Sequence, residues 1–142
     1  MEKLYIVTDH AAFEAKEFLK EKLQTKFEVI DLGTNSNESV HYPDYGKKIA
    51  QAVLENGQRG IALCGSGIGI SIQVNRYKGI RAALCRDVED AQMSRKHNDS
   101  NILCLGGRKH SNQQLIEIVN AWLETEFEGG RHQTRVSMLD QD

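Results

Sequence analysis

At 142 residues the chain has the length of one ordinary domain, long enough to bury a substantial core. Its 18 Lys and Arg against 20 Asp and Glu give a formal net charge of -2, with 27% charged and 39% hydrophobic residues. That describes a soluble globular protein and gives no electrostatic reason to expect a nucleic-acid partner. No apolar run approaches the ~20 residues that cross a bilayer, and three cysteines without C-x-x-C spacing supply neither a disulfide frame nor a zinc knuckle.

Met1-Glu2-Lys3-Leu4 runs straight into an apolar segment, leaving no room for a signal peptide, so the expected location is the cytoplasm. Leu4 to Thr8 reads as a first strand. Ala11, Ala12, Ala15, Phe18, Leu19 and Leu23 then recur at three- and four-residue spacing, the mark of a helix with one buried stripe. Phe27 to Leu32 is a second strand. A polar stretch from Gly33 to His41 leads to Tyr42-Pro43-Asp44, where the only proline punctuates the chain and Asp44 can cap a helix that carries Ile49, Val53 and Leu54 and stops near Gly57. Gly60 to Cys64 is a third strand, Gly67 to Asn75 a short helix and Ile80 to Cys85 a fourth strand. Asp87 then caps a helix to about Lys96, Ile102 to Leu105 is a fifth strand, and Gln113 to Leu123 is the last long helix. Apolar strands alternating with helices predict a single doubly wound, Rossmann-like α/β domain over 1–142, its five-stranded parallel sheet covered on both faces, with a C-terminal arm from about 125.

Sites in such folds gather at the carboxyl ends of the strands. There stand Asp9-His10 after the first strand, Cys64 to Gly69 after the third, Arg86-Asp87 after the fourth and Gly106-Gly107-Arg108 after the fifth. The glycine loop Cys64-Gly65-Ser66-Gly67-Ile68-Gly69 fits neither nucleotide template. The position three after Gly67 is Ile70, so G-x-G-x-x-G fails, and no lysine follows until Lys78, so the P-loop fails. Residues without β-carbons can still turn their N–H groups toward an anion at the start of a helix. His97-Asn98 ends the helix before the fifth strand and has to be brought in from elsewhere, a second subunit being one source. Arg131 and Arg135, four apart after Gly129-Gly130, share a face if helical and suit a phosphate.

Each residue also has a plainer reading. Asp9 can be only a turn cap, His97-Asn98 a helix C-terminal pair, and Arg131 with Arg135 a solvated face. Cys85 and Cys104 read as small core hydrophobes. His41, His110 and His132 read as surface residues or supports behind the site, and Ser71 as helix interior.

Taken together, TDHAAFEAKEFLKEKL, VIDLGTNS, YPDYGKKIAQAV, GIALCGSGIGISIQVNRYKGIRAALC, SRKHNDSNILCLGGR and WLETEFEGGRHQTRV resemble the type B ribose-5-phosphate isomerases, in the family that also holds the galactose-6-phosphate isomerase subunits. The resemblance runs over nearly the whole chain. In some relatives a glutamate after the glycine loop is the base; Ile70 stands there here, so the chain is similar to the cysteine-base kind. The resemblance implies interconversion of ribose 5-phosphate and ribulose 5-phosphate through an enediolate. Cys64 would be the base, and Asp9 and His97 would open the ring. Ser66 and the N–H groups of Gly65, Ser66, Gly67, Ile68 and Gly69 would steady the enediolate, and Asn98 would orient the substrate. His10, Arg108, Arg131 and Arg135 would take the phosphate. It implies no metal and no organic cofactor, no nucleic-acid or membrane partner, and a homodimer, or a dimer of dimers, whose sites are shared between subunits. Two other functions fit the same residues. One is isomerisation of a six-carbon aldose phosphate, allose 6-phosphate or galactose 6-phosphate. The other is a non-catalytic anion- or nucleotide-binding module, which would have no use for Cys64, Asp9 and His97 together.

Overall fold

The structure, a computed structural model, describes residues 1–141. Five parallel strands lie in the order β2-β1-β3-β5-β4, where β1 is Lys3–Thr8, β2 Glu28–Asp31, β3 Arg59–Cys64, β4 Ala82–Leu84 and β5 Ile102–Gly106. The expected doubly wound α/β class is the observed one. Side-chain alternation along each strand divides the interior in two. Leu4, Ile6, Ile61, Leu63, Leu103 and Leu105 face a core closed by α1 (Phe13–Leu23), α4 (Val88–Asn98) and α5 (Asn112–Glu124), with Trp122 at its centre. Tyr5, Val7, Ala62, Cys64, Ile102 and Cys104 face a core closed by α2 (Tyr42–Asn56) and α3 (Ile68–Val74). The central strands are buried on both sides, which is why they read as unbroken apolar runs. A last helix, α6 (Arg131–Met138), lies against the end of α4. Among the described residues no helix is long and apolar enough to cross a membrane.

Several local expectations change. Asp44 does not cap α2: His41 is the cap residue, Pro43 sits in the first turn and Asp44 lies behind it, where its charge still favours the helix N-terminus. Ile49 and Val53 of α2 are buried, whereas Leu54 beside them is 44% exposed. The fourth strand is trimmed to Ala82–Leu84, and α4 runs on to Asn98, where Asp99 adopts φ 48° and stops it. The Asp87 cap is as expected, its carboxylate accepting from Asp90 N at 2.7 Å.

From β1 the chain moves outward to β2, whereas from β3 it moves the other way, past β5 to β4. The loops leaving the carboxyl ends of β1 and β3 therefore diverge, and a crevice opens between them.

Candidate active site

Cys64 closes β3 at the floor of this crevice, a cleft of about 600 Å³ lined by Ala11, Tyr42, Cys64, Gly65, Ser66, Ile68, Gly69, Arg108 and Lys109. The loop is fixed by its neighbours. Gly107 N donates to Cys64 O at 2.9 Å and Arg108 N to Gly65 O at 3.0 Å, which carries the β3–β5 ladder into the two loops. Gly67 adopts φ 79°, and a Cβ there would meet Leu84 Cδ1 at 2.6 Å and the Leu105 carbonyl carbon at 2.8 Å, so only glycine fits. The turn aims Gly67 N at Cys64 Sγ, 3.2 Å away, a hydrogen bond that strengthens as negative charge builds on sulfur. Ser66 Oγ accepts from Ile68 N at 3.1 Å, leaving its own proton to donate.

The other two thiols differ. Cys104 is fully buried, and desolvation pushes its ionisation far up; Cys85 is pushed to about 12, chiefly by burial, with Asp90 and Asp87 adding to the rise against an opposing Ser94 hydrogen bond. Both stay protonated and unreactive at neutral pH.

Asp9, 7% exposed, accepts from Ala11 N at 3.0 Å and so caps the short 3-10 turn His10–Ala12, the plainer of its two readings, with its second oxygen not engaged in that bond. His10 Nδ1 accepts from Val40 N at 3.1 Å, so in the neutral ring the proton sits on Nε2 and points a donor away from the loop. That loop is itself anchored. Lys16, without exposed surface, donates to Asp31 at 2.8 and 2.6 Å and to Thr34 O at 2.7 Å. Burial raises the Asp31 carboxyl, but the Lys16 hydrogen bond, the Gly33 N–H and Lys20 outweigh it and hold it below the usual carboxylate value. The Arg108 side chain lies across Gly65, whose Cβ position is 3.4 Å from Arg108 Cδ.

The structure thus brings Asp9, His10, Cys64, Gly65, Ser66, Gly67, Ile68, Gly69 and Arg108 to one edge of the sheet. It does not bring His97, Asn98, Arg131 or Arg135 there. Asn98 ends α4 and lines a separate cleft of about 330 Å³ with Asn75, Arg81, Ala82, Ser100 and Asp140, at the edge where β4 begins. Arg131 and Arg135 are exposed on α6, which is helical as their spacing requires for a common face.

His97 stacks on His132 with ring centroids 4.4 Å apart and planes inclined by 17°. His132 is buried, 7% exposed, which excludes the surface alternative of its two readings and leaves that of a support, and its Nε2 lies 3.4 Å from Glu128 Oε1. Desolvation, the neighbouring His97 and the Arg131 guanidinium hold it below the ordinary imidazole value, against an opposing pull from Glu128. Residue spacing offered no set of three metal ligands, yet donor atoms of His97, Glu128 and His132 lie within 4.8 Å of one another. Arg131 and Arg135 beside them oppose a bound cation.

The ribose/galactose isomerase family model matches residues 4–139. The chain belongs to that family. Ribose-5-phosphate isomerase B of Escherichia coli K12 is 43% identical over 141 residues, covering 98% of this chain and 95% of its own. A ribose 5-phosphate isomerase structure from Thermotoga maritima superposes with a TM-score of 0.97 at 50% identity and 99% coverage of both chains. A Mycoplasma genitalium ribose-5-phosphate isomerase B, solved with bound ribulose-5-phosphate, gives 0.94 at 36% identity, covering 98% of this chain and 94% of its own.

Within this family member, sequence reasoning missed Tyr42, whose ring fills the space over Gly69, where a Cβ would meet its Cζ at 2.7 Å, and Lys109 in the same cleft. An aromatic before a proline had read only as a turn. The Val40 N–H that fixes His10 is a backbone group and carries no signature in the sequence.

Proposed function

We propose that the chain interconverts ribose 5-phosphate and ribulose 5-phosphate in a site completed by a second copy of itself. The buried thiol at the floor of the cleft, with the Gly67 N–H on its sulfur, is the observation that carries this reading. The family relationship and the ribulose-5-phosphate bound by the Mycoplasma genitalium relative support the substrate class.

In the cyclic sugar, one group removes the proton from the C1 hydroxyl while another protonates the ring oxygen as its bond to C1 breaks. Asp9 and His97 share these roles. The Cys64 thiolate then takes the C2 proton, leaving an enediolate held by donors of the Gly65–Gly69 loop and the Ser66 hydroxyl. Each well-placed donor contributes about 3 kcal/mol to the transition state by analogy with oxyanion holes. Return of the proton to C1, with transfer of the hydroxyl proton from O2 to O1, gives the ketose. His10 Nε2, Arg108, Arg131 and Arg135 hold the phosphate, and Asn98 orients the chain of hydroxyls.

One copy of the protein separates these groups onto opposite edges of the sheet, so the partner's carboxyl edge must meet this chain's α4 and α6. Ile68 and Ile72, one turn apart on α3, are 53% and 55% exposed beside the cleft, apolar surface that suits burial against a partner.

A panel of five- and six-carbon aldose phosphates, assayed for ketose formation with purified protein, tests the reading. Ribose 5-phosphate should show the highest kcat/KM. Preference for allose 6-phosphate or galactose 6-phosphate would move the substrate to six carbons, and conversion of none would return the protein to the class of anion binders.

A further inference from the structure

The geometry points to His132, backed by Glu128, as a positioning residue for His97. This rests on the reading of His97 as a ring-opening group. An imidazole that must exchange a proton with a substrate held partly by another chain needs a fixed ring plane, because misplacement of a reacting group by about 1 Å costs on the order of 100-fold. α4 holds the backbone of His97, in its last turn closed by Asp99 N on Arg95 O, but a helix backbone does not fix the plane of a side-chain ring. The face of His132 supplies it, 4.4 Å away and nearly parallel.

The support is itself rigid. His132 is the one buried residue of α6, and α6 is tied down before and after it: Glu128 N donates to Lys96 O at 3.1 Å, and Asp140 Oδ2 accepts from Gly79 N at 2.9 Å. Two stacked imidazoles cannot both carry charge at low cost. His97, Arg131, Arg135 and Glu128 are the charged or titratable groups that face His132, and the balance among them leaves it neutral. It therefore presents a flat, uncharged surface to the ring of His97. Because α6 has its own anchors, loss of the His132 ring should leave Arg131 and Arg135 in place.

The test compares His132→Ala and His132→Phe with the parent protein and with His97→Ala. Two quantities are read: turnover of ribose 5-phosphate, which must be opened, and inhibition by a phosphorylated four-carbon sugar acid, which cannot close a ring and needs no opening. His132→Ala should lower kcat about tenfold, with the inhibition constant of the acyclic acid kept within about twofold. His132→Phe, which restores a flat face without a titrating group, should recover most of that loss. Unchanged kcat in a folded His132→Ala protein overturns the inference, as does parallel loss of turnover and acyclic-acid binding, or a Phe variant as slow as the Ala one. If His97→Ala itself turns over normally, the ring-opening role of His97 fails instead, whatever the His132 variants do.

Discussion

Cys64 and His97 hold comparable places in the proposed chemistry but are built into the fold in opposite ways. Cys64 is the last residue of a central strand, 4% exposed, with a hydrogen bond from Gly67 N and its loop zipped to the loop after β5. His97 stands in the last turn of a helix, braced by a ring from α6, a helix that Gly129 at φ 70° and Gly130 at φ 57° turn away from α5. The carboxyl edge is held by the sheet, its loops bonded to one another beyond the β3–β5 ladder. The amino edge carries its groups on helix ends, His97 in the last turn of α4 and Arg131 and Arg135 exposed on α6, and on the proposed reading they serve a partner's cleft. On the proposed reading the base is fixed within one subunit, whereas ring opening and part of the substrate holding wait on a partner.

The largest effect should come from breaking the sheet-held half. Cys64→Ala should lower kcat by on the order of 100-fold or more with little change in KM, because a general base acts on the transition state more than on binding. Cys85→Ala and Cys104→Ala serve as controls. Both thiols lie in the core, so these changes should shift melting temperature and leave turnover nearly intact. Steady-state kinetics on the three folded variants checks this, and near-normal kcat in Cys64→Ala would remove Cys64 from the mechanism.

Breaking the helix-borne half should act on binding. Two charge-assisted contacts to a phosphate contribute roughly 1.5 to 3 kcal/mol each, so the double change Arg131→Ala, Arg135→Ala should raise KM strongly while Cys64 remains able to react. Mixing the two defects sharpens the comparison. If each site takes Cys64 from one chain and the arginines from the other, co-expression of a Cys64→Ala chain with the double-arginine chain should restore part of the activity, because some heterodimers contain one intact site. No restoration in a preparation shown to contain heterodimers would put both groups in one chain.

The same contrast explains what could be read from the residues. The strands were legible because the central ones are buried on both faces, so Ile61-Ala62-Leu63 and Ile102-Leu103-Cys104-Leu105 stand out as runs. The gathering of groups at the carboxyl edge was legible because Cys64 and its glycines are contiguous, and Asp9 and Arg108 each directly follow a strand or its short loop. The stack of His97 on His132 was not, because it depends on how two helices far apart in the chain pack, and neither residue's neighbours announce that contact.

A smaller effect separates the support of the carboxyl edge from its chemistry. The buried Lys16–Asp31 pair pins the Gly33–Val40 loop that fixes His10, and the Asp31 carboxyl is held below its ordinary value. A depressed folded-state value contributes stability that is present above the unfolded carboxylate pKa and is lost as pH falls through the folded value. Thermal melts from pH 7 downward should therefore show less acid-dependent loss in Asp31→Asn than in the parent protein, although the variant starts less stable because Lys16 loses its buried counter-charge. Parallel pH profiles for the two proteins would mean that Asp31 titrates alike in the folded and unfolded chains.

The smallest expected effect is none at all, and it decides which half carries the proton transfer. A divalent metal at the amino edge would have to use His97, Glu128 and His132, the described residues that bring three donor atoms within 4.8 Å. Zinc needs each donor at about 2.0–2.2 Å and no uncompensated cations nearby. Arg131 and Arg135 supply such cations, and the stacked rings hold their faces, not converging lone pairs, toward each other. Exhaustive chelation should therefore leave kcat and KM for ribose 5-phosphate unchanged. Activity lost on chelation and restored specifically by one divalent ion would favour a metal-assisted hydride shift between C1 and C2. The chemistry would then belong to the helix-borne half, leaving Cys64 to shape the cleft.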